Sequence, residues 1–191
     1  MTARLDLIAH GPTAATRAVR FPDDEAIEAS AARALEALRG RLNRYERVLT
    51  APSRAARETA EALGLDAEVE TALRDCDYGR WRGFAAKASA EREPDGFAAW
   101  LGDTKAAPHG GESVAALIER TSAWLAQSLP RDGATLAITH ASVVRAAMVN
   151  ALGAAPSAFF RIDVAPLSLA RLRGREGRWN LVAFGPLAAL A

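Results

Sequence analysis

Cysteine occurs once, as Cys76, so the chain can build neither an internal disulfide framework nor a thiolate metal cluster, and a reducing compartment suits it. Lysine is nearly missing: Lys87 and Lys105 stand alone, and arginine supplies the rest of the 24 basic residues. Arginine's rigid fork matches phosphate or carboxylate. Alanine is over-used as well, however, and most of these arginines read as compositional bias and solvated surface charge. Against 23 acidic residues the net charge is only +1, which lacks the basic excess of a nucleic-acid or membrane-surface binder. No apolar run approaches the length of a membrane helix. The first residues, Met1–Leu7, enter a strand-like pattern without the long apolar region of a secretion signal, so the cytoplasm is the expected location. Repeats, low-complexity linkers and a boundary for a second domain are also absent, so residues 1–191 read as one domain.

What is there is an alternation of apolar runs and amphipathic stretches. Leu5–Ala9 is a buried strand ending at the turn His10-Gly11-Pro12. Asp23–Leu42 has acids early and arginines late, the charge order of a helix. Val48–Thr50 gives a second strand, and Ser53 caps a helix that runs to Leu63 and stops at Gly64. Ala67–Thr71 is a weaker third strand. The long stretch Leu73–Gly111 reads as short helical pieces between turns at Pro94–Gly96 and Pro108–Gly111, a functional or lid-like segment. Ser113–Ser128 is a firmer helix. Leu136–Thr139 is a fourth strand with His140 at its end, and Ala141–Leu152 is an apolar helix. Strands are expected at Arg161–Val164, Ser168–Leu172 and Trp179–Phe184, the last two joined by a Gly174–Gly177 turn. This order predicts an α/β domain of three α/β/α layers, its sheet mainly parallel with an antiparallel edge.

Ligands of open α/β sheets bind beyond the C-terminal ends of the strands. His10 and His140 both sit there, each followed by a small residue, Gly11 and Ala141. One histidine at a strand end is often structural; two at equivalent ends favour a shared centre. Ile8-Ala9-His10-Gly11-Pro12-Thr13 resembles the R-H-G-x-T motif of the histidine phosphatase superfamily, the phosphoglycerate-mutase-like proteins. Four further segments resemble the family in order: Thr50–Ala60 with its S-P-x-x-R-A-x-x-T-A pattern, Leu73–Gly83 with L-x-E-x-x-x-G-x-W-x-G, His109–Ser113 with G-G-E-S, and Ala137–Ala141 with the strand bearing the second histidine. Arg20-Phe21 fall where the family often has R-F or R-Y.

The resemblance implies a phosphoglycerate-mutase-like fold and a phosphohistidine mechanism. A neutral His10 attacks phosphorus, His140 bonds the phosphoryl oxygens, and a carboxylic acid protonates the leaving oxygen. Asp75 stands at the family's glutamate position, one methylene shorter, with Asp77 and Glu112 as fallbacks and a loop-capping role for Asp75 weighing equally. Gly11, Thr13, Arg20, Arg54 and Ala141 are the phosphate-binding candidates, while Arg17 and Arg57 read as surface charge, and Tyr78 and Trp81 as packing. No cofactor and no metal are implied, and the partner is a small phosphorylated molecule rather than nucleic acid or membrane. Oligomeric state stays open, a homodimer included.

Two departures matter. Ala9 replaces the arginine that the family places before the first histidine, and Ala55 replaces the second pocket arginine. An arginine on a transferring phosphoryl group is worth about 10³–10⁵ in rate. The leading expectation is therefore a metal-independent phosphatase. The alternative is a degenerate relative that binds a phosphorylated or anionic ligand with little catalysis. A metallohydrolase built on His10, His140 and Asp75 fits the residue types but lacks a spacing such as H-E-x-x-H.

Overall fold

A computed structural model describes residues 3–42, 44–128, 133–175 and 177–190. Strand β1 (Arg4–Ala9) is buried from Leu5 onward, as a strand covered on both faces must be. A single turn of helix α1 (Ala14–Arg17), helix α2 (Ala29–Glu36), strand β2 (Arg47–Thr50), helix α3 (Arg54–Ala62) and the two-residue strand β3 (Glu68–Val69) follow. The middle segment holds 3-10 turns at Thr71–Leu73 and Gly79–Trp81, then helices α4 (Ala86–Arg92) and α5 (Pro94–Gly102). Helix α6 (Val114–Ser128), strand β4 (Ala134–Thr139) and helix α7 (Ala141–Leu152) lead to strands β5 (Ser168–Arg175) and β6 (Arg178–Pro186) and a last turn, α8 (Leu187–Leu190).

The sheet order is β3-β2-β4-β1-β5-β6. The first four strands in that order run parallel, while β5 lies antiparallel to β1 and β6 antiparallel to β5. Helices α2 and α3 pack together with α3 on β2 and β4; α6 and α7 pack together with α7 on β1, β5 and β6. The core between these layers is aliphatic, with Leu5, Leu7, Ile8, Leu49, Leu136, Ile138, Val143 and Leu169 almost fully buried. The expected three-layer α/β architecture with an antiparallel edge is therefore present. No helix among the described residues is long and apolar enough to cross a membrane.

Three local expectations are corrected. The helix expected over Asp23–Leu42 is only Ala29–Glu36, because two of its early acids bond other backbone N–H groups, one of them at the start of α3, instead of forming a first helical turn. Asp24 accepts the Arg54 N–H (2.7 Å) and Glu25 accepts the Asp23 N–H (2.9 Å). Pro94–Gly96 is not a turn but the start of α5, with proline at the first helical position where its missing N–H costs nothing. Arg161–Val164 is no strand: Pro156–Arg161 winds as a 3-10 helix that buries Phe159. Strands β5 and β6 pair antiparallel as expected; Glu176, on which the expected Gly174–Gly177 turn falls, lies outside the described residues, as do Met1 and Thr2.

Candidate active site

The parallel register sets Ala9 of β1 beside Thr139 of β4, and the His10 N–H donates to the Thr139 carbonyl at 2.8 Å. The next residue on each strand is a histidine, so His10 and His140 emerge side by side. Their ring centroids lie 5.0 Å apart, nearly perpendicular at 78°. Both are buried, with 9% and 5% exposure.

His10 Nδ1 is 2.8 Å from the Gly11 carbonyl. A carbonyl only accepts, so Nδ1 carries the hydrogen and Nε2 keeps its lone pair. Burial, reinforced by the adjacent His140, lowers the His10 pKa to about 4, so the ring is neutral near pH 7. The loop is fixed from behind: the Gly11 N–H donates to Thr59 Oγ1 (3.0 Å), which donates to the Ala55 carbonyl (2.7 Å) in α3. A side chain at Gly11 would press on Ile27, 3.3 Å from the position of a Cβ.

His140 caps α7, and its Nδ1 lies 3.3 Å from Asp75 Oδ2. The other Asp75 oxygen accepts from Ser142 Oγ and from the Cys76 N–H (2.8 Å). Burial alone would raise the Asp75 pKa. The neighbouring His140 and the bonds from Ser142 and Cys76 outweigh that and hold it at about 2. Thr139 Oγ1 donates to the Leu73 carbonyl (2.7 Å), tying the end of β4 to the segment that carries Asp75. Of the fallback acids, Glu112 is gripped by Arg120 at 2.7 and 2.9 Å and does not line the cleft. Asp77 does line it, with one oxygen accepting the Gly79 N–H.

These groups border a cleft of about 600 Å³. Thr13, Arg20, Ala55, Ala141 and Tyr78 also line it. Thr13 caps α1, its Oγ1 accepting the Thr16 N–H at 3.2 Å. Val19 adopts the left-handed region (φ 49°) just before Arg20, where it ends α1 and turns Arg20 toward the cleft; Arg20 Nη2 lies 3.9 Å from Glu25. Tyr78 both lines the cleft and stacks on Phe21, with centroids 4.8 Å apart, while Trp81 is packing, buried among Phe21, Phe97 and Trp100. His109 is structural, its Nδ1 accepting the Gly111 N–H.

Two expected phosphate ligands are not placed to act. Gly11 has given its N–H to Thr59 and does not line the cleft. Arg54 lies outside the cleft too: one residue is about 100° of helix rotation from Ala55, and its Nε bonds Glu58 at 2.7 Å on the exposed face. Conversely, Arg145 lines the cleft and was not a candidate. The signal was there, since Arg145 is the single charged residue of α7, on the same face as Ala141. Among the described residues, no three histidine, cysteine or acidic side chains are grouped so as to hold a metal ion.

Residues 5–186 match the histidine phosphatase superfamily (branch 1). The chain belongs to that superfamily. Among curated proteins, the bifunctional protein Rv2228c of Mycobacterium tuberculosis is 33% identical over 131 residues, 64% of this chain and 36% of its own length. The chain thus spans about a third of that relative. Among solved structures, mycobacterial glucosyl-3-phosphoglycerate phosphatase Rv2419c superposes with a TM-score of 0.80 at 22% identity, covering 95% of this chain and 97% of that one. A phosphoserine phosphatase mutant from Entamoeba histolytica gives 0.86 at 15% identity, covering 99% and 100%. These likenesses establish the fold.

Proposed function

We propose that the chain is a metal-independent phosphomonoester hydrolase acting on a small phosphorylated substrate through a phosphohistidine on His10. The observation that carries this reading is the bond from His10 Nδ1 to the Gly11 carbonyl, which leaves a neutral ring with a lone pair on Nε2. Nε2 attacks phosphorus and the bond to the leaving oxygen breaks. That oxygen takes its proton from the Asp75–His140 pair. Water then attacks phosphorus, the P–N bond breaks, and the pair recovers its proton. His140 and the first turn of α7 at Ala141 hold the phosphoryl oxygens, with Thr13 and Arg20 beside them. The cleft volume suits a small molecule, and the solved neighbours named as phosphatases support the reaction class.

The test is a panel of phosphomonoesters assayed with and without chelator, with acid-labile phosphate on the protein sought after rapid quench. Chelator-insensitive hydrolysis, lost in His10→Ala, is expected; normal turnover by His10→Ala refutes the mechanism. A second reading, ligand binding without useful catalysis, is favoured by Ala9, Ala55 and the outward Arg54. It predicts no hydrolysis across the panel while phosphate still raises Tm, and robust cleavage of any member eliminates it.

A further inference from the structure

We propose that Ser142 is a positioning residue for proton delivery: its hydroxyl ties the Asp75 carboxylate to α7, the helix that His140 caps, and so holds the Asp75–His140 pair together at the cleft. This rests on the phosphatase reading above. His140 is oriented by Asp75 and by its contact with the His10 ring. Both of its ring nitrogens are buried without a hydrogen-bond partner among the described residues. Nδ1 lies 3.3 Å from Asp75 Oδ2, in ion-pair range but not aligned for a hydrogen bond. A contact that loose does not place a carboxylate. What places it is the opposite oxygen, Oδ1, which accepts from Ser142 Oγ and from the Cys76 N–H at 2.8 Å.

The two donors differ in what they fix. The Cys76 N–H belongs to the next residue and moves with Asp75, whereas Ser142 stands 67 residues further along the chain, just beyond His140. A second hydroxyl brackets His140 from the other side, since Thr139 Oγ1 donates to the Leu73 carbonyl at 2.7 Å. Both hydroxyls are buried and both are given to the segment that carries Asp75. Arg120 of α6 grips the carbonyls of Ala72, Arg74 and Asp75, which sets the course of that backbone. It leaves the carboxylate to turn about its last bond, a torsion with broad wells. Ser142 stops that rotation from α7. An aspartate is also one methylene shorter than a glutamate, so its carboxylate meets His140 only where the segment is drawn onto the helix. The first turn of α7 has no acid of its own, and a carboxylate brought there is favoured by the helix dipole. Ser142, Cys76 and His140 together keep Asp75 ionised. Its Oδ2 is therefore an acceptor, and His140 Nδ1 carries the hydrogen that faces it.

The experiment reads wild type, Ser142→Ala and Ser142→Thr in two ways. Initial rates are taken on nitrophenyl phosphate, whose leaving group needs little protonation, and on glycerol phosphate, whose alkoxide must be protonated as it departs. Ser142→Ala is expected to lower kcat on glycerol phosphate about tenfold more than on the nitrophenyl ester, with KM for both little changed. Ser142→Thr keeps the hydroxyl and restores the ratio. Nitrogen NMR of protein labelled in its histidine rings supplies a readout that needs no turnover. Neutral His140 is expected in wild type as one tautomer, with its hydrogen on Nδ1, and in Ser142→Ala as a mixture with the Nε2 tautomer. Equal losses on the two esters, or a His140 spectrum unaltered by Ser142→Ala, overturns the role of Ser142 while leaving the phosphatase reading intact. Cleavage of no ester of the panel by wild type overturns both.

Discussion

Replacing His10 by asparagine tests, through stability, the neutral ring that the proposed nucleophile requires. Asparagine keeps a donor near the position of Nδ1 for the Gly11 carbonyl but has no proton to titrate. In the folded protein the His10 pKa is lowered from 6.5 to about 4. Between those values the unfolded chain binds a proton at this residue and the folded chain does not. The neutral ring therefore imposes no penalty above pH 6.5, and stability is lost as pH falls toward 4. At about 1.4 kcal/mol per pH unit, the loss is roughly 3 kcal/mol, a large share of the about 5–15 kcal/mol of an ordinary domain. Asp75 acts in the same direction at lower pH, its contribution full above 3.8 and lost toward about 2, and His109, also lowered by burial, contributes to both proteins, so the difference between them from pH 7 to 4 reports His10. Urea denaturation of wild type and His10→Asn across that range should show the wild type alone losing those roughly 3 kcal/mol. If the two proteins track each other within about 0.5 kcal/mol, His10 protonates as in water and the argument for a dry, neutral Nε2 collapses.

Ala55 lines the cleft in the first turn of α3, so Ala55→Arg should raise kcat/KM for a phosphomonoester by about 10²–10³; no gain in initial rates means the cleft does not lack positive charge. Asp75→Asn should cut kcat by about 10²-fold or more and spare esters with nitrophenolate leaving groups, which need little protonation; an equal loss on both kinds, read from initial rates, contradicts proton delivery through the Asp75–His140 pair. Val19 is 69% exposed at φ 49°, so Val19→Gly should stabilise by about 1 kcal/mol in a melting assay with activity unchanged. Asp6 in β1 is fully buried and accepts bonds from Arg4 (2.8 Å), Arg171 (2.9 Å) and Tyr45; Asp6→Ala should cost about 3 kcal/mol, read by urea denaturation.

How much of this was legible in the chain differs by residue. His10 and His140 could be read because apolar runs end on them, and parallel strands deliver their C-terminal ends to one edge. The layers followed from the order of runs and helices. Arg54 misled because neighbours in sequence point in different directions on a helix, and Glu58, one turn on, captures it. Gly11 misled because its N–H was taken by Thr59, 48 residues away, a contact no local pattern carries. Arg145 could have been read as the single charge on α7, but the helix around it reads as core. Asp24 and Glu25 looked like a helix start and instead accept backbone N–H groups, Asp24 from Arg54 at the start of α3 and Glu25 from Asp23.

The place of β1 in the sheet has a consequence for synthesis on the ribosome. It lies between β4 and β5, and its partner at Ala9 comes about 130 residues later. Strand β1 must wait, an aliphatic segment with open edges, until β4 and β5 have been made. The two histidines meet only when that insertion happens, so the candidate site forms no earlier than the pairing of β1 with β4. Enzymatic recovery after dilution from denaturant would then report completed sheet assembly and not earlier collapse of the helices.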